Sequence, residues 1–162
     1  MGFVHLHVHS EYSLLRSVCR IEDLVQTAKA QNYKSLALTD ENVLYGAIPF
    51  YKACIQSGIK PIFGLELHVI KEQEDLRRVS TNECILLAKT FKGYQNLIKL
   101  STEANLEKYR VPAVDKETLF KHTDDLVLIL SYETSDVFNE VVSSREVAAS
   151  HLLQQYKDSF GD

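Results

Sequence analysis

The chain has 162 residues, 45% of them hydrophobic, and 18 basic against 22 acidic residues give it a formal charge of −4. That length suits one ordinary globular domain, and the acidic balance argues against a domain that grips nucleic acid unaided. Three cysteines, Cys19, Cys54 and Cys84, are odd in number and lack a CxxC spacing, which argues against a disulfide framework or a thiolate zinc site and fits a reducing compartment.

No signal peptide is visible at the start, and nothing approaches the roughly 20 apolar residues of a membrane span. The expectation is a cytoplasmic chain with no membrane contact. Residues 3–9 alternate strictly, with Val4, Leu6 and Val8 on one face and His5, His7 and His9 on the other. Period two predicts a strand. From Ile21 the apolar spacing changes to that of a helix stripe, through Leu24, Val25 and Ala28. Residues 35–40 predict a short buried strand. Residues 45–57 predict a helix, with Pro49 tolerated near its start and Gly58 suited to its end. Residues 60–69 predict a third strand, kinked at Gly64. The charged run from Glu72 to Arg78 predicts a solvated loop or turn of helix.

A fourth strand is predicted over 83–89 and a helix through Tyr94, Leu97, Ile98 and Ser101. A loop follows from Glu107 to Val114, then a short helix over 115–122 with Asp115 at its N-cap. Residues 126–130 predict a fifth strand, and the remainder to about Tyr156 is helical. Strands alternating with helices over short connections predict an α/β fold of mostly parallel strands. Pattern alone does not choose between an open doubly wound sheet and a truncated barrel.

In such folds functional groups gather at the carboxyl ends of strands. Four places there carry polar groups: His7 and His9, Asp40 and Glu41, Glu66, and Glu83. Same-face residues lie roughly 6.5–7 Å apart along a strand, so alternating imidazoles can converge on one ion or on neighbouring ions. A hydrogen-bonded histidine row is the structural alternative. Asp40 and Glu41 read equally as helix caps. Glu66, inside an apolar strand, needs either a salt bridge or a metal. No GxSxG elbow, GxxxxGK[ST] loop or GxGxxG turn is present, and lysine and arginine do not cluster with aromatics into a strand-binding groove.

The run from His5 to Leu15, His-Leu-His-Val-His-Ser-Glu-Tyr-Ser-Leu-Leu, resembles the opening motif of the PHP (polymerase and histidinol phosphatase) domain, in the form carried by bacterial DNA polymerase III alpha subunits. The resemblance continues in order through residues 36–40, 44–47, 50–53 and 58–62, Gly64, Glu66, residues 86–89 and residues 93–97. It implies a partial, distorted (β/α)7 barrel over residues 1–162. It also implies a parent that is a replicative DNA-directed DNA polymerase, whose palm, fingers and thumb lie outside this chain.

Intact members hold metal ions at the barrel mouth, and some hydrolyse phosphoesters or proofread as 3′–5′ exonucleases. Carried over by residue, His7 and His9 match the first ligand pair and Glu66 the bridging carboxylate. Arg16 stands where active members have an acidic ligand. Thr39-Asp40-Glu41-Asn42 replaces Thr-Asp-His-Gly, so Glu41 stands for a histidine. Glu83 replaces a later histidine, Glu133 falls at a further ligand position, and the last Asp-x-His pair has no counterpart before Asp162.

Glutamate ligates metals, but an arginine cannot, and its charge opposes divalent cations. The expected metal residues, His7, His9, Glu41 and Glu66, therefore form a vestigial site, with zinc or manganese held only if the site is retained. Arg16 is expected to pair with Glu41 or Glu66 in place of a metal. The fragment is expected to be a structural or partner-binding module, with an active phosphoesterase or exonuclease as the alternative. Its partners would be the rest of the alpha subunit and replisome proteins, with DNA reached through the parent. Uncovered apolar strand edges in an incomplete barrel would also favour self-association.

Overall fold

Ile21, Leu24, Val25 and Ala28 give one segment a single apolar stripe, and it forms α1 (Ile21–Ala30) with Ile21, Val25 and Ala28 buried. Glu22 and Asp23 in its first turn and Lys29 in its last complement the helix dipole. β1 (Ser35–Leu38) follows, then α2 (Ala47–Ser57) with Pro49 in its first turn, where no helical N–H is lost. Gly58, at φ 71°, ends α2. Its N–H donates to the Ile55 carbonyl, and the Ile59 N–H donates to the Cys54 carbonyl at 2.9 Å, the paired bonds of a left-handed cap. The chain continues through β2 (Lys60–Asp75), β3 (Arg78–Ala88), α3 (Phe91–Ala104), α4 (Lys116–Phe120), β4 (Leu126–Leu130), α5 (Asp136–Val142) and α6 (Glu146–Phe160). This is a computed structural model that describes residues 3–75, 78–106 and 109–161.

The strands form one mixed sheet in the order β1-β2-β3-β4. β1 lies parallel to β2, with Ser35 opposite Lys60 and Leu38 opposite Phe63, so β1, α2 and β2 make a βαβ unit. From Gly64 onward β2 pairs antiparallel with β3, and β3 pairs antiparallel with β4. The α/β class holds, but the expectation of mostly parallel strands does not. Glu72 to Asp75 belong to β2 and Arg78 to β3, where a loop or turn of helix was expected; the two residues between lie outside the described residues. Strands joined this closely can only run antiparallel, because a parallel return needs a crossover of a dozen residues or more.

Residues 3–9 are extended but form no strand. The Ala37 N–H donates to the His5 carbonyl and the Thr39 N–H to the Val8 carbonyl. The outer segment thus advances three residues while its neighbour advances two, which breaks a regular ladder. The Thr39 hydroxyl closes the gap, accepting from the Val8 N–H at 2.8 Å.

Gly64 stands where β2 passes from its pairing with β1, which ends at Phe63, to its pairing with β3, which begins opposite Leu87. A side chain there would come within 2.6 Å of Leu87 and Thr39, so close packing is the reason for glycine. The C-terminal helical stretch divides into α5 and α6 at Ser144, whose φ is 57°. In the expected loop at 107–114, residues 107 and 108 lie outside the described residues.

Alternation along β2 separates two faces. Leu65, Leu67 and Val69 pack with Leu86 of β3, Leu97 and Leu100 of α3, Leu119 of α4 and Tyr156 of α6 in the main core. The opposite face carries a smaller cluster of Ala37, Ile85 and Leu87, flanked by Ile62 and Ile129. Glu66 and His68 alternate with the buried leucines, and both belong to this second face.

Candidate metal centre

The extended N-terminal segment runs along the outer side of β1 and delivers two of its histidines to β2. His9 Nε2 lies 3.1 Å from Glu66 Oε2 and 3.2 Å from His7 Nε2, and His7 Nε2 contacts the same Glu66 oxygen. His5 does not join them. Its ring packs edge-on against Phe3 and beside Tyr33.

Glu66 is 5% exposed. Burial by itself would raise its pKa, yet the hydrogen bond and charge from His9, with His7 behind them, hold it below the ordinary carboxylate value. The same bond to Glu66 outweighs the desolvation of His9 and raises the pKa of that imidazole.

Glu41 reaches the site because β1 runs on past Thr39 beside β2. The Glu66 N–H donates to the Asp40 carbonyl at 3.1 Å, and the Asn42 N–H to the Glu66 carbonyl at 2.8 Å. Asp40, the other half of the acidic pair, serves a different purpose. Its buried carboxylate accepts from the Ser10 N–H at 2.7 Å, the Ser10 hydroxyl at 2.7 Å and the Ser13 hydroxyl at 2.6 Å. Ser13 in turn accepts from the Glu41 N–H. These bonds fasten the 10–17 loop over the end of β1 and bring Arg16 to Glu41, with Nε 2.9 Å from Oε2. Arg16 Nη2 also lies 3.7 Å from Glu83 Oε1. The expected pairing of Arg16 with a surplus glutamate is therefore found at Glu41.

One further member was absent from the sequence-based set. His68 stands two residues after Glu66 on the same face of β2 and directly opposite Glu83 of β3. Its Nε2 is 3.2 Å from Glu41 Oε1 and 3.6 Å from Glu83 Oε1. The side chain is 12% exposed, and its buried Nε2 atom makes no hydrogen bond to either oxygen. The i, i+2 spacing from Glu66 was the available signal. Glu133, in the turn after β4, is exposed and belongs to neither donor group.

Two sets of donors thus share Glu66: His7, His9 and Glu66 on one side, and Glu41, Glu66 and His68 on the other, each within 4.8 Å. Ligands at about 2.1 Å in tetrahedral geometry stand roughly 3.4 Å apart. The 3.1 and 3.2 Å spacings around His9 are close to that value, and these three donors could hold one metal ion. The second set has a guanidinium on Glu41, and its fixed charge stands against a cation there.

A family model for the PHP domain matches residues 5–162. The DNA polymerase III subunit alpha of Halalkalibacterium halodurans is 41% identical over 161 residues, which cover 99% of this chain and 14% of that protein. That of Borreliella burgdorferi is 40% identical over 164 residues, covering 90% and 14%. That of Bacillus subtilis is 52% identical over 102 residues, covering 63% and 9%. The chain therefore spans 14% or less of the length of these relatives. Among solved structures, an amidohydrolase from Chromobacterium violaceum aligns with 62% of this chain and 32% of its own, at 21% identity and a TM-score of 0.48. No helix among the described residues is long and apolar enough to cross a membrane.

Proposed function

The chain belongs to the PHP domain family, and from that membership we propose that it is the N-terminal PHP module of a DNA polymerase III alpha subunit, with a degenerate metal site. Its parent would be a replicative DNA-directed DNA polymerase. The relatives that cover nearly all of this chain carry that name, which supports the assignment. The module's role is structural: it packs against the remainder of the subunit and offers a surface to other replication proteins, while DNA is handled elsewhere in the parent.

The observation that carries the loss of chemistry is Arg16 on Glu41, 2.9 Å away and held there by the Asp40 latch. Hydrolysis by paired ions needs two cations to lower the pKa of water and clamp a phosphate. Here a guanidinium takes the charge of one of them without offering a coordination position. His7, His9 and Glu66 remain able to hold a single ion. Such an ion would tie the N-terminal segment to β2 and cross-link the fold.

The test is metal analysis of the full-length protein purified without chelator, together with a 3′–5′ exonuclease assay on a mismatched primer terminus. At most one ion is expected to depend on His7 and His9, with no nuclease activity attributable to the module. Two His7-dependent ions, with nuclease activity lost on His7→Ala, would overturn the structural role in favour of an active phosphoesterase or proofreading exonuclease.

A further inference from the structure

The acidic residues of this chain are unevenly spread. Residues 42–65 and 84–102 contain five lysines, Lys52, Lys60, Lys89, Lys92 and Lys99, and no aspartate or glutamate, although acids outnumber bases in the chain as a whole. The fold brings these two stretches together, because α2 and α3 both pack against β2. Phe63 of β2 lies between them, its ring centroid 6.5 Å from that of Tyr51 in α2 and 5.2 Å from that of Tyr94 in α3. Of the acids that approach, Asp124 pairs with Lys92 at 2.9 Å and Asp125 accepts from the Thr90 hydroxyl. Lys60 and Lys89 have no ion-pair partner among the described residues. One side of an acidic molecule therefore carries unsatisfied positive charge.

The same side is apolar where it should be polar. Ile48, Tyr51 and Ile55 recur along α2 at i, i+3 and i+7, and Phe91, Tyr94 and Ile98 repeat that spacing along α3. A stripe so spaced ordinarily faces a core, yet Phe91 is 74% and Ile48 61% exposed, and Tyr51, Ile55 and Ile98 are exposed as well. A groove of about 650 Å³ lies here, lined by Ile48, Tyr51, Phe63, Phe91 and Tyr94 together with Lys60 and Lys89. That volume is within the roughly 300–1,000 Å³ of a ligand-sized cleft. It admits a few inserted side chains, not a flat protein surface.

Two helix stripes that line one groove accept a third helix by the ridge packing that joins helices in a core. Acidic residues on the flanks of that helix would meet Lys60 and Lys89. Single-stranded nucleic acid also uses aromatics and cations, but it stacks on open ring faces, and Phe63 is already stacked on Tyr51 at an interplanar angle of 29°. The two stretches also contain no arginine, the residue best matched to phosphate. We propose that the groove between α2 and α3 docks an amphipathic helix of a separate partner protein, with bulky apolar anchors and acidic flanks. This rests on the structural-module reading above, and names the surface and the class of partner.

The experiment is selection of displayed random peptides of about 16 residues, some four helical turns, on the immobilised full-length protein. Wild type is compared with Phe91→Ser and with the double variant Lys60→Glu/Lys89→Glu. All three side chains are exposed, and thermal unfolding confirms that both variants are folded. Wild type is expected to enrich peptides with large apolar residues at helical spacing and aspartate or glutamate beside them. The most enriched peptide, fluorescently labelled, should lose at least tenfold in affinity on each variant, and should bind more weakly as salt rises. No such enrichment, which the remainder of the subunit seated in the groove would produce, overturns the proposal. An affinity that both variants leave unchanged does the same. So would an oligothymidylate, or a second copy of the protein, whose binding to wild type is abolished by Phe91→Ser. The metal and nuclease assays read the structural role separately. His7-dependent nuclease activity with peptide binding intact sinks that role alone, and an inactive site without enrichment sinks the docking groove alone.

Discussion

Asp40→Ala tests the latch that places Arg16. Asp40 is 2% exposed, and its partners Ser10 and Ser13 are 0% and 1% exposed. Their three donors, at 2.6–2.7 Å, all end on one carboxylate. A hydrogen bond to a charged group contributes about 1.5–3 kcal/mol, so simple addition gives about 4.5–9 kcal/mol. That sum overstates the loss, because the loop is a surface element into which water can follow, and the serine hydroxyls can turn to new acceptors. A destabilisation of about 3–4 kcal/mol is expected, with a fall in Tm of about 10 °C for a domain of this size. Asp40→Asn keeps the shape and one acceptor for two of the donors, and is expected to cost about 1–2 kcal/mol. Urea unfolding of the 162-residue chain, followed by circular dichroism with the slope checked for constancy, measures both. An Asp40→Ala variant within about 1 kcal/mol of wild type would refute the buried network as the anchor of the loop.

The pair of His9 and Glu66 gives a pH signature in the metal-free chain. His9 is raised above its ordinary 6.5 by Glu66, so its contribution is complete below that value and fades as pH rises through the folded value. Glu66 is held below its ordinary 4.5 by His9 and His7 against the opposing effect of burial, so its contribution is complete above 4.5 and is lost as pH falls through the folded value. The stability difference between wild type and His9→Gln should therefore be largest between those two values and shrink on either side. A difference that grows from pH 7 to 9 would contradict it. Gly64→Ala should destabilise by about 1–3 kcal/mol, since overpacking forces its neighbours aside and one of them, the Leu86 carbonyl at 2.7 Å, is backbone; an unchanged urea midpoint would show that β2 yields there. Of the three thiols only Cys19 is exposed, while burial pushes Cys54 up to about 11 and Cys84 to about 12. A chromogenic disulfide should label one thiol quickly and the other two only after unfolding; rapid labelling of two would place a second cysteine at the surface.

Much of the fold follows from apolar spacing, because its elements bury a face. The stripe of α1, the left-handed cap at Gly58 and the wholly apolar β4 all carry their own signals in the sequence. The outer half of the β2–β3 ribbon does not, since polar residues at every position from Lys71 to Asp75 leave no alternation to follow. The opposite error occurred at residues 3–9, where strict alternation is present but the pairing slips by a residue. At the site, His7, His9, Glu41 and Glu66 were recognisable because motif order carried them. The charge of Arg16 called for a glutamate partner but left Glu41 and Glu66 equally open, and the fold selects Glu41. His68 escaped because its importance depends on a cross-strand partner, Glu83, and that pairing is a property of the antiparallel register.

The same register has a consequence for change in chain length. Opposite His68 stands Glu83, and a slide of one residue would put Asn82 or Cys84 there instead and turn the carboxylate toward the helix-covered face. The inner ladder from Gly64 to Ile70 runs without interruption, and both irregularities fall farther out, between Ile70 and Glu72 and between Gln73 and Asp75. Those bulges act as slip joints. A residue added or removed beyond Ile70 is taken up locally, whereas one added between Glu66 and Ile70 shifts phase and separates His68 from its acids. The hairpin is thus free to vary at its outer end while His68 and Glu83 stay aligned.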